Sequence, residues 1–119
     1  MVRGIRGAIT ILMDTPEAIA EATRAMIQAI VQRNQVNVAD IAAATFTTTT
    51  DIVSAFPATA ARNAGWTHVP MLCHHELPVP HSLPRCIRVL VLWNTDKTQD
   101  EIQHVYLREA VKLRPDLVK

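Results

Sequence analysis

The stretch RCIRVLVLWNTD, residues 85–96, reads as a β-strand with a guanidinium near its start. Ile87, Val89, Leu90, Val91, Leu92 and Trp93 make an apolar run between Pro84 and the turn residues Asn94, Thr95 and Asp96. Such a run predicts a strand covered on both faces. Arg88 interrupts it, and alternation puts Arg88 on the face shared by Cys86, Leu90 and Leu92. A charge there needs a partner, either an acid of the protein or a ligand.

Outward from this strand, residues 2–12 (VRGIRGAITIL) read as a first strand with Arg6 inside it between Gly4 and Gly7. Glycine weakens a strand unless something approaches the backbone closely. The following DTPEAIAEATRAMIQAIVQRNQ carries the clearest helix signal. Asp14 or Thr15 can cap it, Pro16 suits the first position, and Glu17 and Glu21 oppose the macrodipole. Ile19, Ala22, Met26, Ala29 and Ile30 recur at helical spacing, so one face covers a sheet. Asn37 and Asp40 suggest a capped turn before a strand at about 42–48, whose threonines suit a wet outer face. Asp51 is a candidate cap for another turn. FPATAARNAG (56–65) predicts a two-turn helix closed by Gly65. A strand at about 68–76 and a proline-rich loop lead back to the Arg88 strand. TQDEI (98–102) suits one helical turn, and the Tyr106, Ala110, Leu113 spacing is compatible with helix. The sum is an α/β or α+β chain.

Bulk properties bound the function. The 119 residues form one expected domain, residues 1–119, with 49% apolar and 19% charged residues. A net charge of +1 gives no basic field for nucleic acid and no charge run for a membrane surface. The basic residues are nine Arg against three Lys, which mildly favours an anionic partner. Cys73 and Cys86 show neither metal spacing nor a disulfide framework, and the N-terminus lacks the pattern of a signal peptide. No apolar stretch reaches the roughly 18–20 residues of a membrane span. A soluble, cytoplasmic protein is expected.

The candidates for chemistry are few. In CHHE (73–76) His74 and His75 point to opposite faces of a strand, which leaves too few ligands for zinc. No G-x-S-x-G, P-loop or dinucleotide glycine pattern is present. Arg6, Arg88, Glu76 and Tyr106 remain, polar and set in or beside strands. An internal Arg–Glu pair is one reading. Two arginines against one glutamate leave a positive charge over, which an anionic ligand would balance.

RGIRGA at the start, FPA followed by Arg62, GW…VP…C leading to Glu76, CIRVL, and QDEIQHVYLREAVKLRPDL occur together in order. Over residues 2–117 the chain resembles the small homotrimeric chorismate mutases of the mixed α/β class. That resemblance implies a mixed sheet of about five strands packed by one long helix and short helices, assembling as a trimeric pseudo-α/β barrel. It implies conversion of chorismate to prephenate by an intramolecular Claisen rearrangement, with no cofactor and no metal. Arg88 would bond the ether oxygen, Arg6 a substrate carboxylate, and Glu76 the ring hydroxyl, with Cys73 near that hydroxyl and Tyr106 positioning the side-chain carboxylate. Phe56, Ala58 and Leu113 would shape an apolar wall. Arg62 and Arg114 would stand near the entrance, Arg114 in a tail expected to order on binding. Thr59 and Leu72 depart from the residues common in the family, although the backbone at 72–76 could still line the site.

Cys73 and Glu76 face opposite ways on a straight strand. If that strand lies at a subunit boundary, Cys73 and Phe56 serve one site and Glu76 the next; a bulge would also reconcile them. The competing expectations are a homotrimeric imine-deaminase-like enzyme and a non-catalytic carboxylate sensor of the same architecture. CIRVL and LRPDL speak against the first.

Overall fold

The computed structural model describes residues 1–117; Val118 and Lys119, the end of the expected domain, lie outside the described residues. Five strands form one mixed sheet in the order β3-β2-β4-β1-β5. Strands β1 (Val2–Thr10) and β2 (Ile41–Thr48) run antiparallel to the central β4 (Cys86–Asn94). Strands β3 (Met71–His75) and β5 (Val105–Leu107) join in parallel at the two edges.

One face of the sheet is buried under α1 (Pro16–Asn34) and α2 (Pro57–Asn63). Thr15 is the cap of α1: its hydroxyl accepts the Ala18 N–H at 3.1 Å, and Pro16 fills the first position. The helix ends at Gln35, whose φ of 58° turns the chain out. Ile19, Ala22, Met26, Ile27 and Ile30 line its buried face and meet Ile5, Ile9, Phe46, Ile87, Val89 and Val91 from the strands. Burial stabilises each of these larger side chains by about 1.5–3 kcal/mol, so packing rather than helix propensity holds α1 in place.

Gly7 is where β1 leaves no room for a side chain. A Cβ there would lie 2.9 Å from Ile30 Cδ1 and 3.0 Å from Val89 Cγ1. Gly7→Ala should therefore destabilise. Overpacking costs about 1–3 kcal/mol, which outweighs the roughly 0.4–1 kcal/mol gained by stiffening the unfolded chain. A thermal melt should show a drop of roughly 4 °C for each net kcal/mol lost. An unchanged melting temperature would mean that α1 withdraws freely.

The sheet's opposite face departs from expectation. β4 is covered on one side only: Leu90 and Leu92 are 45% and 38% exposed, and Leu72, in the same cross-strand row as Leu90, is 63% exposed. The apolar run predicts cover on both faces, and the described residues of this chain supply it on one. Among the described residues, Ala8, Cys86, Tyr106 and Ala110, with Leu83 and Leu113 against them, close one end of the bare face.

Smaller differences follow from turns. β1 stops at Thr10, and β3 starts at Met71 because Thr67 and His68 lie in a turn. Asp51 caps no helix; its carboxylate accepts the Arg85 N–H at 3.0 Å and the Thr49 hydroxyl, tying the β2 exit to the β4 entry. The Tyr106–Ala110–Leu113 spacing does not make one helix. Tyr106 is on β5, and a 3-10 helix, Arg108–Leu113, carries the rest. Arg108, with φ 57°, makes the break, its guanidinium holding Glu21 at 2.7 and 2.8 Å and the Thr10 carbonyl at 3.2 Å.

Candidate active site

Register assembles a row across the bare face. Thr47 and Ala8 stand directly opposite Arg88 on its two sides, with His74 beyond Thr47 and Tyr106 beyond Ala8. Residues paired across a sheet share a face, and Ala8, the smallest member, leaves room between Arg88 and Tyr106. Glu76 lies one residue beyond β3, where its N–H donates to the Thr48 carbonyl at 2.8 Å and prolongs the β2–β3 ladder. Its carboxylate thereby reaches Arg88.

That contact is partial. Arg88 Nε lies 3.1 Å from Glu76 Oε2, but its N–H is not aimed at the oxygen, so the two form an ion pair without a hydrogen bond. Glu76 Oε2 also accepts the Thr47 hydroxyl at 2.6 Å. Among the described residues, neither Arg88 Nη nor Glu76 Oε1 has a hydrogen-bond partner. The Arg88 side chain is 43% exposed and that of Glu76 only 18%. The inner end of the guanidinium is held by a resident acid and its outer fork is open.

Arg6, two residues from Ala8 on the same face, is held through its backbone. Its N–H donates to His104 Nδ1 at 2.9 Å, and the Gln99 amide pairs both ways with Gly4, at 3.0 and 2.7 Å. Side chains thus complete the β1 edge before β5 begins. Asn34, buried at the end of α1, clamps Gln103 in the same segment through its amide.

His104 resists protonation. Burial first, then the Arg6 and Arg114 charges, hold its pKa below the ordinary histidine value. The unfolded chain therefore binds a proton that the folded one resists once pH falls below about 6.5. The contribution of His104 to stability is complete above that pH and is lost progressively as pH falls toward the folded value. Urea midpoints between about pH 7 and pH 5 should fall more steeply for the wild type than for His104→Asn, which keeps an acceptor but does not titrate. Equal slopes would contradict this.

Arg114 reaches the same region but is already occupied: its Nε and Nη2 grip Asp116 at 3.1 and 3.0 Å. That contact, chiefly, holds the Asp116 carboxyl below its usual range, with a smaller contribution from Arg6. An incoming carboxylate must share or displace it. Leu113 packs beside Tyr106 in the small cluster that closes one end of the face. Cys86 lies there too, its thiol pushed up to about 11 by burial against the opposing pull of Arg88. It is a neutral filler, not a nucleophile.

The other expected residues fall elsewhere. Cys73 points to the helix-covered face and, with Phe56, lines a cleft of about 410 Å³ whose walls include Thr48, Ile52 and His75. The β2–β3 register is regular through His75, so no bulge turns Cys73 toward Glu76. Asp14 fixes the loop before Phe56, accepting from Val53 N, Ser54 N and, at 2.7 Å, the Ser54 hydroxyl. Ala58 is packed into the core, and Arg62 is exposed with Nη2 3.4 Å from Thr59 Oγ1. Leu72 lies on the Arg88 face. His74 and His75 diverge, His75 Nε2 sitting 3.0 Å from the Ile52 carbonyl. Among the described residues no group of three or more His, Cys, Asp or Glu could hold a metal, and no helix is long and apolar enough to cross a membrane.

Two candidate clusters result, on opposite faces of one chain. Thr47 and His104 join the first, and no local sequence signal marks either. Thr47 looked like one of a run of solvated threonines, and only cross-strand register reveals its neighbour.

Three comparisons agree. The sequence model of the family described as "Chorismate mutase type I" matches residues 2–117. The chorismate mutase AroH of Thermus thermophilus is 59% identical over 98% of this chain and 97% of its own length; that of Bacillus subtilis is 42% identical over 98% and 93%. A chorismate mutase structure from Clostridium thermocellum superposes with a TM-score of 0.88 at 43% identity, covering 90% of this chain and 96% of that one.

Proposed function

The chain belongs to the chorismate mutase type I family, and from that premise we propose a catalytic centre built from the two half-sites of adjacent subunits in a homotrimer. The enzyme isomerises chorismate to prephenate. One observation carries the proposed site. The Arg88 fork opens onto a sheet face that this chain leaves bare, while Phe56 and Cys73 lie on the other face. A contiguous apolar patch of this kind marks an interaction surface. Three sheets turned inward, helices outward, would cover Leu90 and Leu92 and bring the Phe56–Cys73 cleft of one subunit against the Arg88 row of the next.

The chemistry suits such a site. In the rearrangement an ether C–O bond breaks as a C–C bond forms within one molecule, with no nucleophile and no proton transfer. What remains is to hold the compact conformer and to stabilise the charge that separates as the ether bond lengthens. Arg88 Nη donates to the ether oxygen, where negative charge grows. Glu76 Oε1 accepts from the ring hydroxyl, beside the ring that becomes electron-poor. Arg6 binds a substrate carboxylate and Tyr106 orients the side-chain carboxylate. From the neighbouring subunit, Phe56 and Cys73 wall the ring, with Ala58 behind them. Arg62, Leu113 and Arg114 form the entrance that retains a dianion.

The test is direct. Purified protein mixed with chorismate should abolish the ultraviolet absorbance of the substrate and yield prephenate. Binding without loss of absorbance would leave a carboxylate sensor instead.

A further inference from the structure

The Glu76 carboxylate has two oxygens with different surroundings. Oε2 receives the Thr47 hydroxyl at 2.6 Å and lies 3.1 Å from Arg88 Nε, whereas Oε1 has no partner among the described residues. Thr47 and Arg88 are direct cross-strand partners, so the hydroxyl, the carboxylate and the guanidinium meet at one point of the sheet. The Arg88 N–H is not aimed at Oε2, which leaves the threonine hydroxyl as the directional bond that sets the rotation of the carboxylate.

We propose that Thr47 is a positioning residue, which by holding Glu76 Oε2 inward fixes the Glu76–Arg88 pair in the orientation that leaves Oε1 and the Arg88 fork free for substrate. This rests on the Arg88–Glu76 site proposed above. A hydroxyl on a half-buried strand position could equally fill space, and the two roles give different kinetics. Groups that orient a reacting residue from behind typically change rate by about 10–100-fold when removed, as in the shells that support metal ligands.

The experiment compares Thr47→Val, which keeps the shape and loses the hydroxyl, with Thr47→Ser, which keeps the hydroxyl. Both are made in the wild type and in a Glu76→Gln background. Thr47→Val should lower kcat about tenfold with KM within about twofold, and Thr47→Ser should recover most of the loss. In the Glu76→Gln background Thr47→Val should add little, since the path of its effect has been altered. Wild-type kcat for Thr47→Val, equal impairment by Thr47→Ser, or full additivity with Glu76→Gln would each overturn the proposal. If Glu76→Gln lowers kcat strongly and Thr47→Val does not, only the role of Thr47 fails. If Glu76→Gln itself turns over like wild type, the underlying site fails with it.

Discussion

Replacing Arg88 by alanine should lower kcat by at least about 10²–10³ while leaving subunit assembly unchanged. Removal of one preorganised donor to a developing oxyanion typically costs about 3–4 kcal/mol. Arg88 suits that role in its geometry: Nε is anchored beside Glu76, and among the described residues no oxygen holds the fork before it meets the ether oxygen. The effect should fall on kcat more than on KM, because the negative charge it answers exists mainly in the transition state. Arg88→Lys should recover little. An ammonium cannot keep one nitrogen on Glu76 and present two others outward in a fixed plane. Steady-state kinetics with a sedimentation check measures both parts, and a variant as active as wild type would refute the assignment.

The second large effect is expected from Leu92→Asp. In a lone chain this side chain is on the bare face, so a carboxylate there should leave the fold intact by circular dichroism. In the proposed trimer the same position is covered, and three unpaired carboxylates would be desolvated together at several kcal/mol each. Sedimentation should show dissociation at micromolar concentration. Activity should fall at least about 100-fold, since a penalty of about 3 kcal/mol already shifts an equilibrium that far. A variant that sediments and turns over like wild type would remove the bare face from the interface.

Local signals in the sequence were enough for the helix-covered half of this molecule. The Thr15 cap, Pro16, the apolar stripe of α1 and the Val/Ile/Leu run of β4 act over a few residues each, and all form as their chemistry dictates. Arg88, Glu76, Arg6 and Tyr106 stood out because charged or polar groups in or beside apolar strands demand partners. The roles proposed for them come from the family motifs. What stayed hidden is non-local. The apolar run of β4 cannot say whether its own chain covers both faces, and among the described residues it covers one. Thr47 is indistinguishable from Thr45 or Thr49 until register places it opposite Arg88. His104 completes the β1 edge across a separation of 98 residues, which no local pattern announces. The spacing of Tyr106, Ala110 and Leu113 is compatible with helix, whereas pairing of Ala8 with Tyr106 draws the first of them into the sheet.

Division of the site between two chains can be measured by complementation. Arg88→Ala, defective on the bare face, and Phe56→Asp, defective in the cleft, should each be nearly inactive alone. Refolded together in equal amounts, they should regain about a quarter of wild-type activity, the share of interfaces at which random cyclic assembly joins an intact row to an intact cleft. Activity no greater than the sum of the two parents would show that each chain carries its site whole.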